Sequence, residues 1–265
     1  MSAGSFVLVG VPTDRNSSYL RGAASAPAAI RKVLFSGAGN LTSESGVALD
    51  GTAAMVDAGD LALTESDADL AVIESAFSAA ALGGRPFLAL GGDHSITYPI
   101  LRGVTAEGGK VNLLHFDAHP DLYDVFEGNR LSHASPFARI MEEGRGGRLV
   151  QVGIRTENDH QRDQARRFGV ETITMEAFDP DRVPIPDPPL YVTIDLDALD
   201  PAFAPGVSHH EPGGMSVRDL LRVLRRIRTR LVGADIVELN PVRDPSGVTA
   251  AVAAKLVKEL GALLC

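Results

Sequence analysis

Eight short apolar runs rich in Val, Leu and Ile recur along the chain, and longer segments with helical periodicity separate them. This alternation restricts the fold more than any other feature. The runs are "SFVLVGV" (5–11), "AMVDAG" (54–59), "PFLALGG" (86–92), "VNLLHFD" (111–117), "RLVQVGI" (148–154), "ETITM" (171–175), "LYVTIDLD" (190–197) and "VGADIVELN" (232–240). Several lack in/out alternation, as expected of parallel strands covered on both faces. The intervening segments carry helix signals. "ESDADLAVIESAFSAAALGG" places Leu70, Ile73, Phe77 and Ala80 on one stripe and stops at Gly83 and Gly84. "SVRDLLRVLRRIRTRL" opens with Ser216 and Asp219 in a capping-box-like arrangement and then spaces Leu220, Leu224 and Ile227 helically. "SPFARIMEEG" offers Ser135 as N-cap and Pro136 at the first helical position. Strand and helix in alternation imply an α/β fold, a parallel sheet with helices on both faces. The proline-rich stretch 179–189 reads as a surface loop. No repeat or boundary divides the chain, so one domain over 1–265 is expected.

Composition narrows the function. With 265 residues, 45% of them hydrophobic and 22% charged, the chain can bury a substantial core. Its formal charge of −9 comes with no basic block, so neither nucleic acid nor an anionic membrane has an electrostatic footprint here, and a small cationic ligand suits it better. A single cysteine, Cys265, excludes an internal disulfide and any Cys-based metal or redox motif. The first strand-like run starts by residue 5, which leaves no room for a signal peptide, and no stretch approaches the ~18 apolar residues of a membrane span. The expected location is the cytoplasm. Signatures of nucleotide-cofactor, phosphoryl-transfer, serine-hydrolase and thiol-redox chemistry are absent.

Four of the runs end in ionisable groups: Asp93 and His94; Asp117, His119 and Asp121; Asp195 and Asp197; and Glu238. In open parallel sheets ligands bind beyond the carboxyl ends of the strands, so these groups can meet in one crevice. Residues two apart in an extended segment point the same way, so Asp117, His119 and Asp121 share one face of their segment, as do Asp195 and Asp197 of theirs. Four converging carboxylates repel one another and destabilise the fold. One divalent cation removes that conflict, and two remove it better. His94, Asp117, His119, Asp121, Asp195 and Asp197 are the six candidate ligands, an oxygen-rich set that suits Mn²⁺ and is also compatible with Zn²⁺, Co²⁺ or Fe²⁺. Asp60, Asp93 and Asp200 read instead as helix N-caps or turn formers, and His115 as a satisfied core residue.

"GGDHSITYP", "DAHPDLYD", "SHASPFARI", "IDLDALDPAFAPGVSHHEPGG" and "VELNP" resemble, in order, the signature of the ureohydrolase family, binuclear manganese enzymes that include arginases and agmatinases. The likeness runs from "GVPTDRNSSYLRGAASAPAAIR" to "TAAVAAKLVKELG", nearly the whole chain, and is strongest to plant-type arginases. Typical agmatinases carry His-Gly where this chain has His133-Ala134, and Gly-Thr-Pro where it has Ser208-His209-His210. Both departures favour arginine over agmatine. The resemblance implies a three-layer α/β/α domain around a mostly parallel sheet of about eight strands, homotrimers or hexamers, and two Mn²⁺ per subunit. It puts His94, Asp121 and Asp197 or their neighbours on one ion and Asp117, His119 and Asp195 on the other, with some of the carboxylates bridging the two.

The implied reaction is attack of a metal-bridging hydroxide on a guanidinium carbon, giving L-ornithine and urea from L-arginine, or putrescine and urea from agmatine. By the same resemblance Glu238 binds the guanidinium, Asp121 passes a proton to the leaving amine, and His133 serves as proton shuttle. His209 stands where many relatives place a substrate-lining Thr. Asn129 and Asn158 fall where animal-type arginases contact the α-carboxylate and α-amino groups. A metal-binding oligomeric scaffold without activity would show ligand loss, and here every one of these residues is retained.

Overall fold

The computed structural model describes residues 5–50 and 55–265. Each apolar run forms a strand: β1 (Phe6–Gly10), β2 (Met55–Asp60), β3 (Phe87–Leu90), β4 (Val111–Phe116), β5 (Gly146–Ile154), β6 (Glu171–Thr174), β7 (Leu190–Asp195) and β8 (Gly233–Val237). Ala54, the first residue of the second run, lies outside the described residues. The strands pair in parallel throughout, in the order β2-β1-β3-β8-β7-β4-β5-β6. The expected α/β/α architecture with eight strands is therefore present.

Helices α1 (Ala26–Leu34), α7 (Val217–Leu224) and α8 (Val248–Leu264) cover one face. Leu8, Leu88, Leu114, Val192 and Ile236 point into that layer and join Leu220, Leu256 and Leu260. On the other face lie α2 (Asp69–Ala76), the single turn α3 (Ala79–Leu82), α4 (Thr97–Val104), α5 (Pro136–Glu142) and α6 (Asp159–Phe168). There Val7, Val9, Ala89, Leu113 and Tyr191 pack against Ile73, Ile100, Leu101 and Phe137. Burial on both faces explains why the central strands carry continuous apolar runs. Edge strand β2 is largely exposed, and its Asp57 and Asp60 pair with Arg31 of α1.

Two helices are shorter than the periodicity predicts. The helix expected through Ala80 breaks at Phe77, where the Ser78 hydroxyl donates to the Ser75 carbonyl and competes with the helical ladder. α7 stops at Leu224, and Arg226 turns to donate to the carbonyls of Pro180 and Val183. Ile227 remains buried, so the apolar stripe is used even where the helix is not. The Ser216–Asp219 capping box forms as expected. Ser135 precedes α5 in the N-cap position, with Pro136 as the first helical residue, but its buried hydroxyl makes no capping hydrogen bond.

The loop after β3 has to fit between two neighbours. The Gly92 carbonyl accepts from the Glu238 N–H at 2.8 Å, and the next amide, of Asp93, donates to the Thr13 carbonyl at 3.0 Å. A Cβ on Gly92 would sit 1.7 Å from that Thr13 oxygen. Gly92→Ala must push these three loops apart, and we expect a loss of about 1–3 kcal/mol, read as a lower Tm. A variant that melts with the wild type would contradict this packing.

Candidate metal centre and active site

Every ionisable strand end singled out in the sequence opens on the same edge of the sheet. Gly91, Gly92 and Asp93 lead from β3 into a short turn that presents His94. Asp93 is the cap of that turn: its carboxylate accepts from the Ser95 and Asn16 amides, so it is spent on structure as expected. Asp60 caps no helix but pairs with Arg31, whereas Asp200 holds a turn by accepting from Ala202, Gly213 and Gly214. Asp121 and Glu238 both adopt left-handed backbone, with φ of 50° and 66°. Such strain in non-glycine residues collects at functional sites, where it aims a side chain.

The six candidate ligands converge. His94 Nδ1 lies 3.1 Å from Asp117 Oδ2, 3.1 Å from Asp121 Oδ2 and 3.4 Å from Asp195 Oδ2. His119 Nδ1 lies 3.0 Å from Asp197 Oδ2 and 3.4 Å from Asp117 Oδ1. Asp117 thus offers one oxygen to each half. Asp195 stands with His94 and Asp197 with His119, because the turn after β7 carries Asp197 toward the Ala118 amide, from which it accepts.

His115 also touches Asp117, yet both its ring nitrogens are engaged. Gln151 Nε2 donates to its Nδ1 at 3.0 Å, which leaves Nε2–H to donate to Asp117 Oδ2 at 2.8 Å. It orients a ligand and has no lone pair to give. His94 differs: Nε2 contacts the Thr193 hydroxyl at 2.9 Å, while Nδ1 is fully buried and makes no hydrogen bond although three carboxylates face it. An orphaned imidazole nitrogen among carboxylate oxygens is the donor set of a divalent cation, and the residues fit one.

Electrostatics agree. Burial, reinforced by the charges of Asp197 and Asp117, pushes the Asp195 carboxyl well above its usual range. Burial and the charge of Asp117 bring Asp121 up to about 7. Burial would lower His119, but the charge of Asp197 and the hydrogen bond to Asp117 outweigh it and raise the ring to about 12. His94 is raised in the same way by Asp117, Asp121 and Asp195 against the effect of burial. Protein groups alone therefore hold protons in this cluster at neutral pH.

Above it lies a cavity of about 310 Å³, whose lining includes five carboxylates, Asp121, Glu157, Asp195, Asp197 and Glu238, and no Lys or Arg. Glu238 Oε1 accepts from the His94 amide at 2.9 Å and contacts His133 Nδ1 at 3.0 Å, and His133 Nε2 contacts the Ser18 hydroxyl at 2.9 Å. The His209 ring stands 5.1 Å from that of His133 and 6.0 Å from that of His119. Asn158 lines the cavity, caps α6 and donates to the Tyr123 hydroxyl at 2.7 Å. Asn129 is not in the lining; its side chain serves Asn16 and the Leu131 amide instead. Ser18 escaped the sequence reading, although it sits in a polar run directly after β1, the position that marks the other site residues.

Residues 4–262 match the family model described as "Arginase family". This chain belongs to the arginase family. It is 48% identical to arginase 1, mitochondrial, of Arabidopsis thaliana over 96% of this chain and 80% of that protein. Agmatinase of Bacillus anthracis is 33% identical, over 96% of this chain and 90% of that one. The solved arginase from Medicago truncatula superposes with a TM-score of 0.91 at 45% identity, covering 98% of this chain and 87% of the other. The protein is thus an arginase-family hydrolase that acts on C–N bonds of amidines; members of the family depend on metal and act on small guanidino compounds. Among the described residues no helix is long and apolar enough to cross a membrane.

Because the cluster holds protons that a cation must displace, Mn²⁺ uptake should release protons, and its affinity should strengthen at least tenfold from about pH 6 to about pH 8. Calorimetric titration in buffers of different ionisation enthalpy reads both quantities. Affinity independent of pH, with no proton release, would contradict the assignment of these side chains as ligands.

Proposed function

We propose that the protein is a binuclear Mn²⁺-dependent arginase that converts L-arginine and water to L-ornithine and urea. The observation that carries this reading is the cavity itself: four clustered carboxylates and two histidines lie at its floor, and the buried Glu238 carboxylate stands beside them with no Lys or Arg in the lining. Such a lining favours a small cation, and a planar guanidinium is the group a carboxylate can bind through two hydrogen bonds. His94, Asp117, Asp121 and Asp195 would hold one ion, and His119, Asp117 and Asp197 the other. When bound, such an ion pair lowers the pKa of water enough to supply a nucleophile near neutral pH.

The chain's own groups then do the rest. Glu238, anchored through Oε1 by the His94 amide, fixes the guanidinium carbon over the cluster. Its carboxyl stays ionised: burial alone would raise its pKa, but the hydrogen bond to His133 and the charge there bring it below its ordinary value. Asp121 turns Oδ2 toward His94, which leaves Oδ1 to take a proton from the attacking water and pass it to the leaving amine. His133 reaches about 9, because the Glu238 hydrogen bond and charge overcome the lowering effect of burial. Once the substrate guanidinium takes Glu238 as its partner, that support weakens and His133 becomes a better acid. It can then give the freed amine the second proton that makes it an ammonium and regain one from solvent, its orientation kept by Ser18. His209 is lowered by burial and by the charge of His133, so its neutral ring can line the guanidinium pocket.

The amino-acid end of the substrate is read at the cavity mouth. We assign Asn158 to the α-carboxylate and α-amino group, with Tyr123 steadying it, and give Asn129 the supporting role of holding Asn16. The reading includes the homo-oligomeric assembly expected from the family resemblance.

Urea release from arginine, agmatine, guanidinobutyrate and guanidinopropionate, assayed side by side with added Mn²⁺, tests the proposal. Arginine should have the highest kcat/KM, and agmatine in that place would replace arginase by agmatinase. Glu238→Gln should lower kcat/KM for arginine at least about a hundredfold, since it removes the charged partner of a buried cation; wild-type kinetics would remove Glu238 from the substrate site. Asn158→Ala should raise KM for arginine much more than for agmatine, and equal effects on both would take the tail contact away from Asn158.

A further inference from the structure

Four polar residues, none of them exposed, stand side by side across the middle of the sheet. Gln151 of β5 pairs with His115 of β4, His115 with Thr193 of β7, and Thr193 with Asp235 of β8. The row lies on the face covered by α4 and α5. His115 and Thr193 come two residues before Asp117 and Asp195, so the row forms a layer directly beneath the candidate ligands. At one end Gln151 and His115 orient Asp117. The other end is Asp235, which does not line the cavity.

A carboxylate at this place is costly. Burial raises its pKa, and only the charge of His94 and the hydroxyls of Thr193, Tyr191 and Thr97 oppose that effect. Tyr191 and Thr97 donate to Oδ2 at 2.7 and 2.8 Å. Oδ1 is buried and makes no hydrogen bond. The polar group next to Asp235 along the row is the Thr193 hydroxyl, whose oxygen is 2.9 Å from His94 Nε2. A hydroxyl has one proton to give.

We propose that Asp235 is a positioning residue for the cation held by His94. Its Oδ1 takes the Thr193 proton, Thr193 Oγ1 can then only accept, and His94 must carry its own proton on Nε2. Nδ1 is then the nitrogen that gives up its proton and offers its lone pair to the cation that Asp117, Asp121 and Asp195 would share with it. An aliphatic residue in place of Asp235 would spare the burial cost but leave the Thr193 proton free to point at Nε2, which would move the ring proton to Nδ1 and block the ligand atom. The inference rests on the reading of His94 as a metal ligand.

The test is the Mn²⁺ affinity and stoichiometry of the full-length protein, measured by equilibrium dialysis and electron paramagnetic resonance. Asp235→Asn and Thr193→Val should each weaken one of the two ions about 10- to 100-fold and leave the other nearly unchanged. Thr193→Ser should bind both as the wild type does, and the double variant Asp235→Asn/Thr193→Val should be no worse than the weaker single one. Melting of the metal-free proteins separates this from a packing role, which would lower Tm without singling out one ion. If Asp235→Asn fails to fold, the Thr193→Val and Thr193→Ser pair decides the matter. Both ions bound with wild-type affinity in Thr193→Val, or Thr193→Ser as weak as Thr193→Val, would overturn the proposal alone. Wild-type protein that takes up no Mn²⁺ would overturn the metal reading along with it.

Discussion

Mutual repulsion among buried carboxylates is the constraint around which this protein is organised. Asp117, Asp121, Asp195 and Asp197 come together at one edge of the sheet, each nearly or wholly shielded from solvent. A fold gains nothing from such a cluster by itself, because desolvation and like charge both work against it. The two histidines relieve it in part, at the expense of holding protons that neither ring would keep alone. Divalent cations relieve it fully, and in doing so turn a destabilising cluster into a place where water and a cationic substrate can be brought together.

The rest of the architecture serves that cluster. A parallel sheet packed on both faces puts all strand ends on one side, so residues more than a hundred positions apart, such as His94 and Asp195, become neighbours. Left-handed backbone at Asp121 and Glu238 bends two of those ends toward the cavity. Gly92 allows the β1, β3 and β8 loops to approach closely enough for the His94 amide to anchor Glu238. Cation site and substrate carboxylate are therefore tied by one backbone segment.

Much of this was legible in the sequence. The eight strands announce themselves because doubly covered strands must be apolar throughout, and the ligands because Asp-x-His-x-Asp and Asp-x-Asp at the ends of such runs have few other uses. The helix break at Phe77 was not visible, since it depends on a serine hydroxyl choosing the preceding turn's carbonyl. The partition of Asp195 and Asp197 between the two halves needs the geometry of a turn that periodicity does not describe. Ser18 is hidden among polar loop residues, and Thr193 and Asp235 each interrupt an apolar run, so that only the strand register places them side by side. Asn129 shows the converse: it falls at a plausible place in the sequence, but its amide is committed to Asn16.

The central claim is that the convergence of these carboxylates exists to hold two cations that act together on a guanidino substrate. Its most direct test is to strip the protein of metal, return Mn²⁺ in known amounts, and follow bound metal per chain against urea released from arginine. Activity should be absent without metal, and the rate should reach its maximum only as the second ion binds. Full activity with a single ion per chain, or with none, would contradict it.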